Sequence, residues 1–143
     1  MIMRVLRWGL GLLIIFWGMI NLVPLVTTYG YKAGWVRLPP DLAGLAPLAQ
    51  VLNWWQALVW LAVVGLYVFA GWRLFRDRPA FGVLAAALIV ELVRWLPMQN
   101  LALYRRAFTS AELHERYEAF ALLVLALGWV RWIDRQRSKS HGA

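Results

Sequence analysis

Apolar residues fill four long stretches of this chain, and polar positions gather in the segments between them. A helix that crosses a hydrocarbon core of about 30 Å needs about 20 residues. The first stretch, 6–26, is opened by Arg4, Arg7 and Trp8 and closed by Pro24 and Thr27-Thr28-Tyr29-Gly30. The second, 51–74, has Trp54 and Trp55 at one end and Trp72-Arg73 at the other. The third, 79–98, follows Asp77 as a helix N-cap, with Pro79 in the first turn, where a missing N–H costs nothing. The fourth is apolar only from Ala119 to Val130, but Thr109-Ser110-Ala111-Glu112 has the spacing of a capping box. That box starts the helix near Ser110 and predicts a span of 110–135, with its first two turns at or above the interface.

The fold class expected is therefore all-α: a single transmembrane domain over residues 1–143, a four-transmembrane-helix bundle. The longest connection, residues 29–50, holds a mildly apolar run from Leu42 to Leu48 that reads as a short helix lying on the membrane. The N-terminal run is longer than a usual signal core and no small-x-small cleavage site follows it, so it reads as a retained helix.

The two helical hairpins read as related. Shifting the first helix by 73 residues brings Gly9 onto Gly82, Pro24 onto Pro97 and Tyr31 onto Tyr104. Shifting the second by 57 brings Gly71-Trp72 onto Gly128-Trp129 and Asp77-Arg78 onto Asp134-Arg135. Both pairs run in the same direction, which implies a pseudo-two-fold axis along the membrane normal.

Composition sharpens the class. The chain is 62% hydrophobic and 15% charged, where a soluble domain has about a quarter of its residues charged. Without cysteine there is no disulfide, thiolate or Cys-based metal chemistry, and with two histidines, His114 and the tail residue His141, no bis-histidine haem is expected. No cofactor and no metal are expected. The net charge of +8 sits beside the apolar segments and reads as topology signal and lipid contact, with no nucleic-acid partner. Arg4, Arg7, Arg73, Arg76, Arg78, Arg131, Arg135, Arg137 and Lys139 fall on one side. Lys32, Arg37, Arg105, Arg106 and Arg116 fall on the other, so both termini are expected in the cytoplasm. Trp54, Trp55, Trp95 and Tyr104 suit an outer aromatic belt, and Trp8, Trp72, Trp129 and Trp132 an inner one.

Few polar residues remain that need a reason. Glu91 lies roughly 18 Å above Pro79, at or past the bilayer middle, and Arg94 lies one turn further out. A charge there costs about 2.5–3.5 kcal/mol even on the lenient insertion scale, and at i and i+3 the two can pair. Such a pair either locks helices together or forms a polar site for protons, an anion or a lipid head group. Asn21, at the matching depth of the first helix, shares a face with Arg7, Gly11, Ile14 and Gly18, a pattern that suits close helix packing. With Gln56 these residues make one candidate intramembrane polar cluster: Asn21, Gln56, Glu91 and Arg94. A second candidate site, at the outer interface, is His114, Glu115 and Glu118. His114 and Glu118 share a face and, with Glu91, could supply three ligands, but the spacing matches no metal motif and acidic residues suit a helix N-terminus in any case.

The segments Leu6-Arg7-Trp8-Gly9-Leu10-Gly11 and Gly18-Met19-Ile20-Asn21-Leu22-Val23-Pro24 resemble the first helix of DoxX-like proteins. These are small four-helix bacterial membrane proteins, some of them associated with quinone-linked redox enzymes. The resemblance covers about a sixth of the chain. It departs at Asn21, where the family tends to have a basic residue, and at Gln56, near where it tends to have an acidic one. It implies a bacterial inner (cytoplasmic) membrane and a four-helix fold, and assigns no residue a role.

Three functions are weighed. The first is a non-catalytic accessory or assembly subunit that binds membrane lipid, another membrane protein or itself. The second is a small oligomeric transporter or channel using the outer-half polar cluster. The third is an enzyme acting on a lipid or quinone at the outer interface, with Glu91, Arg94, His114 and Glu118 as its polar groups. The scarcity of polar groups favours the first.

Overall fold

The computed structural model describes residues 2–140; His141 and the side chain of Lys139 lie outside the described residues. Among the described residues the chain is all helical, with no strand. The helices are α1 (Ile2–Lys32), α2 (Ala46–Val51), α3 (Trp54–Phe75), α4 (Phe81–Gln99), α5 (Ala102–Ala107) and α6 (Ser110–Ser140), with a 3-10 segment, Pro40–Leu45, leading into α2. Three of them, α1, α3 and α4, are long and apolar enough to cross a membrane. The fourth long helix, α6, does not join that group. Its uninterrupted apolar run is Ala119 to Val130, and charged residues occupy both flanks, from Glu112 to Glu118 and from Arg131 onward.

Helix α1 packs antiparallel on α3 through its small residues. A Cβ on Gly11 would meet the Gly71 carbonyl oxygen at 3.0 Å, and one on Gly18 would meet Tyr67 Cβ at the same distance. Removing side chains at these points lets the backbones approach and replaces lipid contact with helix contact. Helix α4 returns antiparallel to α3, and α6 lies along α4 and α1. The two hairpins expected to be related are not equivalent in packing. Gly71 sits in the tight α1–α3 crossing, whereas a Cβ on Gly128, its counterpart by the 57-residue shift, would meet nothing within 4 Å.

The chain has two ends in space. One carries Arg7, Asp77 and Asp134 beside the termini. Its core is apolar, with Leu10, Ile14, Val63, Leu74, Leu84 and Ile133 buried together. The other end carries the long connections, and its core is built from Leu25, Tyr29, Leu48, Trp60, Trp95 and Tyr104. Leu12, Leu13, Phe16, Leu58, Ile89, Val93, Leu122 and Leu125 face outward along the helices.

Several expectations change in the fold. Helix α1 does not stop near Val26 but runs through Pro24 to Lys32. Apolar helices tolerate an internal proline better than helices in water do. The end comes at Gly34, in the left-handed region at φ 77, with the Trp35 and Val36 N–H groups returning to the Gly30 carbonyl. The run from Leu42 to Leu48 is helical as expected, forming the 3-10 segment and the start of α2, but it is also anchored, with Leu48, Ala49 and Leu52 buried and α2 packed against α1 and α5. Lys32 Nζ donates to the Gln50 carbonyl at 3.0 Å and Tyr29 to the Asn53 carbonyl at 3.0 Å, which pins the segment down.

Asp77 is not the N-cap of α4. It sits at φ 55 in the turn and pairs with Arg7 of α1. The first N–H groups of α4 are capped from another helix: Asp134 Oδ2 of α6 accepts from Ala80 N–H at 2.9 Å and Phe81 N–H at 3.0 Å. A carboxylate at a helix N-terminus also meets the positive end of its dipole. At the start of α6 the Thr109/Glu112 box is formed, with Thr109 N–H on Glu112 Oε2 at 2.7 Å and Glu112 N–H on Thr109 Oγ1 at 3.3 Å. The bonds from the Thr109 backbone and hydroxyl hold the Glu112 carboxyl below the usual carboxylate range. Trp95 and Tyr104 do not stand in an aromatic belt. Both are buried, and Trp95 Nε1 donates to Tyr104 Oη at 2.9 Å.

Candidate ligand-binding site

Two buried polar side chains meet between α3 and α4. Tyr67 is fully buried and Glu91 is 4% exposed, and the phenol donates its hydrogen bond to Glu91 Oε2. Glu91 is ten residues into α4, roughly 15 Å from its first turn. A carboxyl at that depth among apolar side chains needs a donor, and Tyr67 supplies it.

Arg94 is one turn further along the same face. Its expected direct pairing with Glu91 is replaced by a different arrangement. The guanidinium lies over the Trp60 ring, 4.2 Å from the centroid. Its Nη1 reaches Met98 Sδ at 3.9 Å, a weak acceptor, and its buried Nε has no hydrogen-bond partner. An arginine offers five N–H donors, so this one is far from satisfied. Arg116, in the second turn of α6, comes to the same place. Its guanidinium lies over Phe108 at 4.7 Å and Tyr104 at 5.9 Å. Neither arginine is in an ion pair among the described residues. The aromatic faces stabilise the two cations but leave the in-plane N–H groups open.

These groups surround a cavity of about 180 Å³ whose walls include Trp17, Asn21, Trp60, Glu91, Arg94 and Arg116. A second cavity, about 210 Å³, shares Pro24, Trp60, Arg94, Trp95 and Arg116 and extends under the 3-10 segment and α2. The wall is held by aromatic packing: Trp95 lies tilted against Phe120 at 4.9 Å and meets Tyr117 edge-on at 5.2 Å.

The structure thus brings Asn21, Glu91 and Arg94 to one cavity, and places Gln56 outside it, in a neighbouring cleft that Arg94 also lines. Asn21 Nδ2 donates to the Trp17 carbonyl of its own helix at 3.0 Å while lining the cavity. Gln56 is used as a cap, its Oε1 accepting from Asn53 N–H at 2.8 Å, and it faces a different cleft, between α3 and α4. His114 and Glu118 pair at 3.5 Å with both side chains largely exposed, 77% and 65%, and Glu115 is exposed beside them. Glu91 is buried away from that group. Among the described residues no three His, Asp or Glu side chains come together as a metal-binding group.

Four residues of the site were not singled out from the sequence. Tyr67, Trp17 and Trp60 are polar-tipped aromatics in the middle of apolar spans rather than at their ends, and that position is a readable signal. Arg116 reads as an ordinary outer charge because only the fold turns it toward Arg94.

Chemically, the arrangement offers two guanidiniums with free donors, one carboxyl already engaged by a phenol, and walls of aromatic rings. It can bind an anion in an apolar setting. No family model matches the chain, and neither a curated protein nor a solved structure does.

Proposed function

We propose that this chain is a small protein of the bacterial inner membrane that spans it four times, keeps both termini in the cytoplasm and binds lipid as a non-catalytic accessory subunit. The observation that carries the reading is the cavity beneath the long connections, where Arg94 and Arg116 meet aromatic walls with no ion-pair partner. A site of that make-up suits an amphiphile, whose head group answers the cations and whose apolar part suits the rings.

Three apolar helices support the membrane assignment. Counting α6 as the fourth span rests on its length and on its run beside α4 and α1. Its charged flanks then stand in the two interfaces. The first-helix resemblance to DoxX-like proteins agrees with this arrangement. The end rich in arginine beside the termini is the cytoplasmic one by charge bias. The outward-facing leucines and phenylalanines suit lipid or a membrane partner, including a second copy.

A transport path is less well supported. Between the cavity and the terminus-bearing end the core is apolar, from Ile14 and Val63 to Leu84 and Ile133. Catalysis would have to draw on Tyr67 and Glu91, which are buried and bonded to each other.

The test is purification in mild detergent followed by native mass spectrometry. One lipid per chain, retained through exchange into a second detergent, is the expected result. A variable lipid belt that washes out entirely would remove the reading. Topology is checked on the naturally cysteine-free chain with Trp35→Cys and Ser138→Cys. An impermeant thiol reagent added outside should label the first and not the second.

A further inference from the structure

We propose that the cavity holds the carboxylate of a single-chain, fatty-acid-like amphiphile, and that the acyl chain lies in the groove between α1 and α6. This rests on the lipid-binding reading above and names its ligand class.

The head group follows from charge and donors. Arg94 and Arg116 bring two positive charges to the cavity wall, and the Glu91 carboxyl there is already engaged by Tyr67. The wall therefore carries a surplus of positive charge, which an anion neutralises. Arg94 Nε is buried without an acceptor, and its only other polar contact is the Met98 sulfur at 3.9 Å. A carboxylate matches the planar fork of a guanidinium and gives charge-assisted bonds where the arginine now has none. A cavity of about 180 Å³ suits a small head group.

The chain site follows from the adjoining groove. Leu10, Leu13, Ile14 and Trp17 of α1 face Leu122 and Ala126 of α6 across a groove of about 570 Å³. That is within the roughly 300–1,000 Å³ of ligand sites in general. Trp17 belongs to both the groove and the polar cavity, so head and tail sites adjoin at that ring. From Trp17 to Leu10 the groove descends roughly 10 Å toward the terminus-bearing end. An amphiphile seated this way keeps its head in the loop-bearing half and hangs its chain toward the bilayer centre and beyond, as a lipid of that leaflet does. A groove of about 570 Å³ suits one chain rather than two.

The experiment is equilibrium binding of radiolabelled palmitate to the purified full chain in mild detergent, beside hexadecanol, octanoate and lysophosphatidate. Palmitate should bind one per chain, and hexadecanol, equal in length but uncharged, at least about tenfold more weakly, the loss expected for hydrogen bonds to a charged group. Arg94→Gln and Arg116→Gln should each weaken palmitate by about tenfold or more and leave hexadecanol unchanged. Ala126→Trp, which fills the groove, should weaken palmitate and spare octanoate. Equal binding of palmitate and hexadecanol by the unaltered chain, which needs no variant to fold, overturns the proposal. So does palmitate binding indifferent to both arginine changes. Tighter binding of lysophosphatidate than of palmitate by tenfold overturns the carboxylate assignment. If the chain retains another lipid but no palmitate, this inference falls and the lipid-binding reading stands; if it retains no lipid at all, both fall.

Discussion

Replacing Gly71 with alanine tests the α1–α3 crossing, where the two backbones approach closely. The added Cβ would lie 2.5 Å from Ile15 Cγ1 and 2.6 Å from the Gly11 carbonyl oxygen. Carbon atoms in good contact stand about 3.5–4.0 Å apart, so the helices must part by about 1 Å. One obstacle is backbone and the other is a β-branched side chain whose χ1 is largely held to one rotamer in a helix, so neither yields easily. Overpacking of this kind costs about 1–3 kcal/mol. In water, alanine would return about 1 kcal/mol of helix propensity. In a membrane α1 and α3 stay helical when they separate, so that gain cancels between the two states and the full loss remains. The assay is reversible unfolding in mixed micelles with increasing SDS, followed by tryptophan fluorescence. Gly11→Ala, whose Cβ would meet the Gly71 oxygen at 3.0 Å, should lose less. Gly128→Ala, with nothing within 4 Å, should change stability by less than about 0.5 kcal/mol. If Gly71→Ala unfolds at the same SDS fraction as Gly128→Ala, the close crossing is not a source of stability.

Tyr67→Phe should cost about 0.6–2 kcal/mol in the same assay, the range for hydrogen bonds inside membranes. A cycle with Glu91→Gln should be non-additive, and strict additivity would contradict the Tyr67–Glu91 contact. Asp134→Ala removes the acceptor for two α4 N–H groups and should cost about 0.5–2 kcal/mol, with faster amide exchange at Ala80 and Phe81; Asp134→Asn, which keeps an oxygen, should lose less. Because Glu112 titrates below the usual carboxylate range in the folded chain, its support of the α6 start is complete above that range and is lost as pH falls through the lowered value. Protection of the Glu112 and Leu113 amides, taken relative to their intrinsic exchange rates at each pH, should therefore fall in acid, and Glu112→Gln should flatten the profile.

What the residue pattern conveyed is what local physics determines. Thr109 and Glu112 are three apart, and their mutual bonds need nothing but that spacing. Long apolar runs likewise announce α1, α3 and α4 without reference to their neighbours. Partners distant in sequence were not legible. Asp77 has the right residue type and place for a cap, but Arg7 claims it, and the cap comes from Asp134 on another helix. Trp95 and Tyr104 lie near span ends, where such rings usually meet head groups, yet here they bond to each other in the core. Pro24 looked like a terminus because in water it would be one. Of the candidate site, Glu91, Arg94 and Asn21 stood out because a polar group in lipid is costly wherever it points. Tyr67 and Arg116 complete the cavity only through the packing of α3 and α6 against α4.

The cap on α4 has a consequence for how the chain is made. Ribosomes deliver α4 well before α6, and its two leading amides must wait 53 and 54 residues for their acceptor. Until then the second hairpin is unfinished, while α1 and α3 already hold everything needed for their crossing. Insertion should accordingly yield a stable early pair, with α4 settling into its final position only after the last helix arrives. Chains shortened ahead of residue 134 would be the natural clients of whatever quality control patrols that membrane.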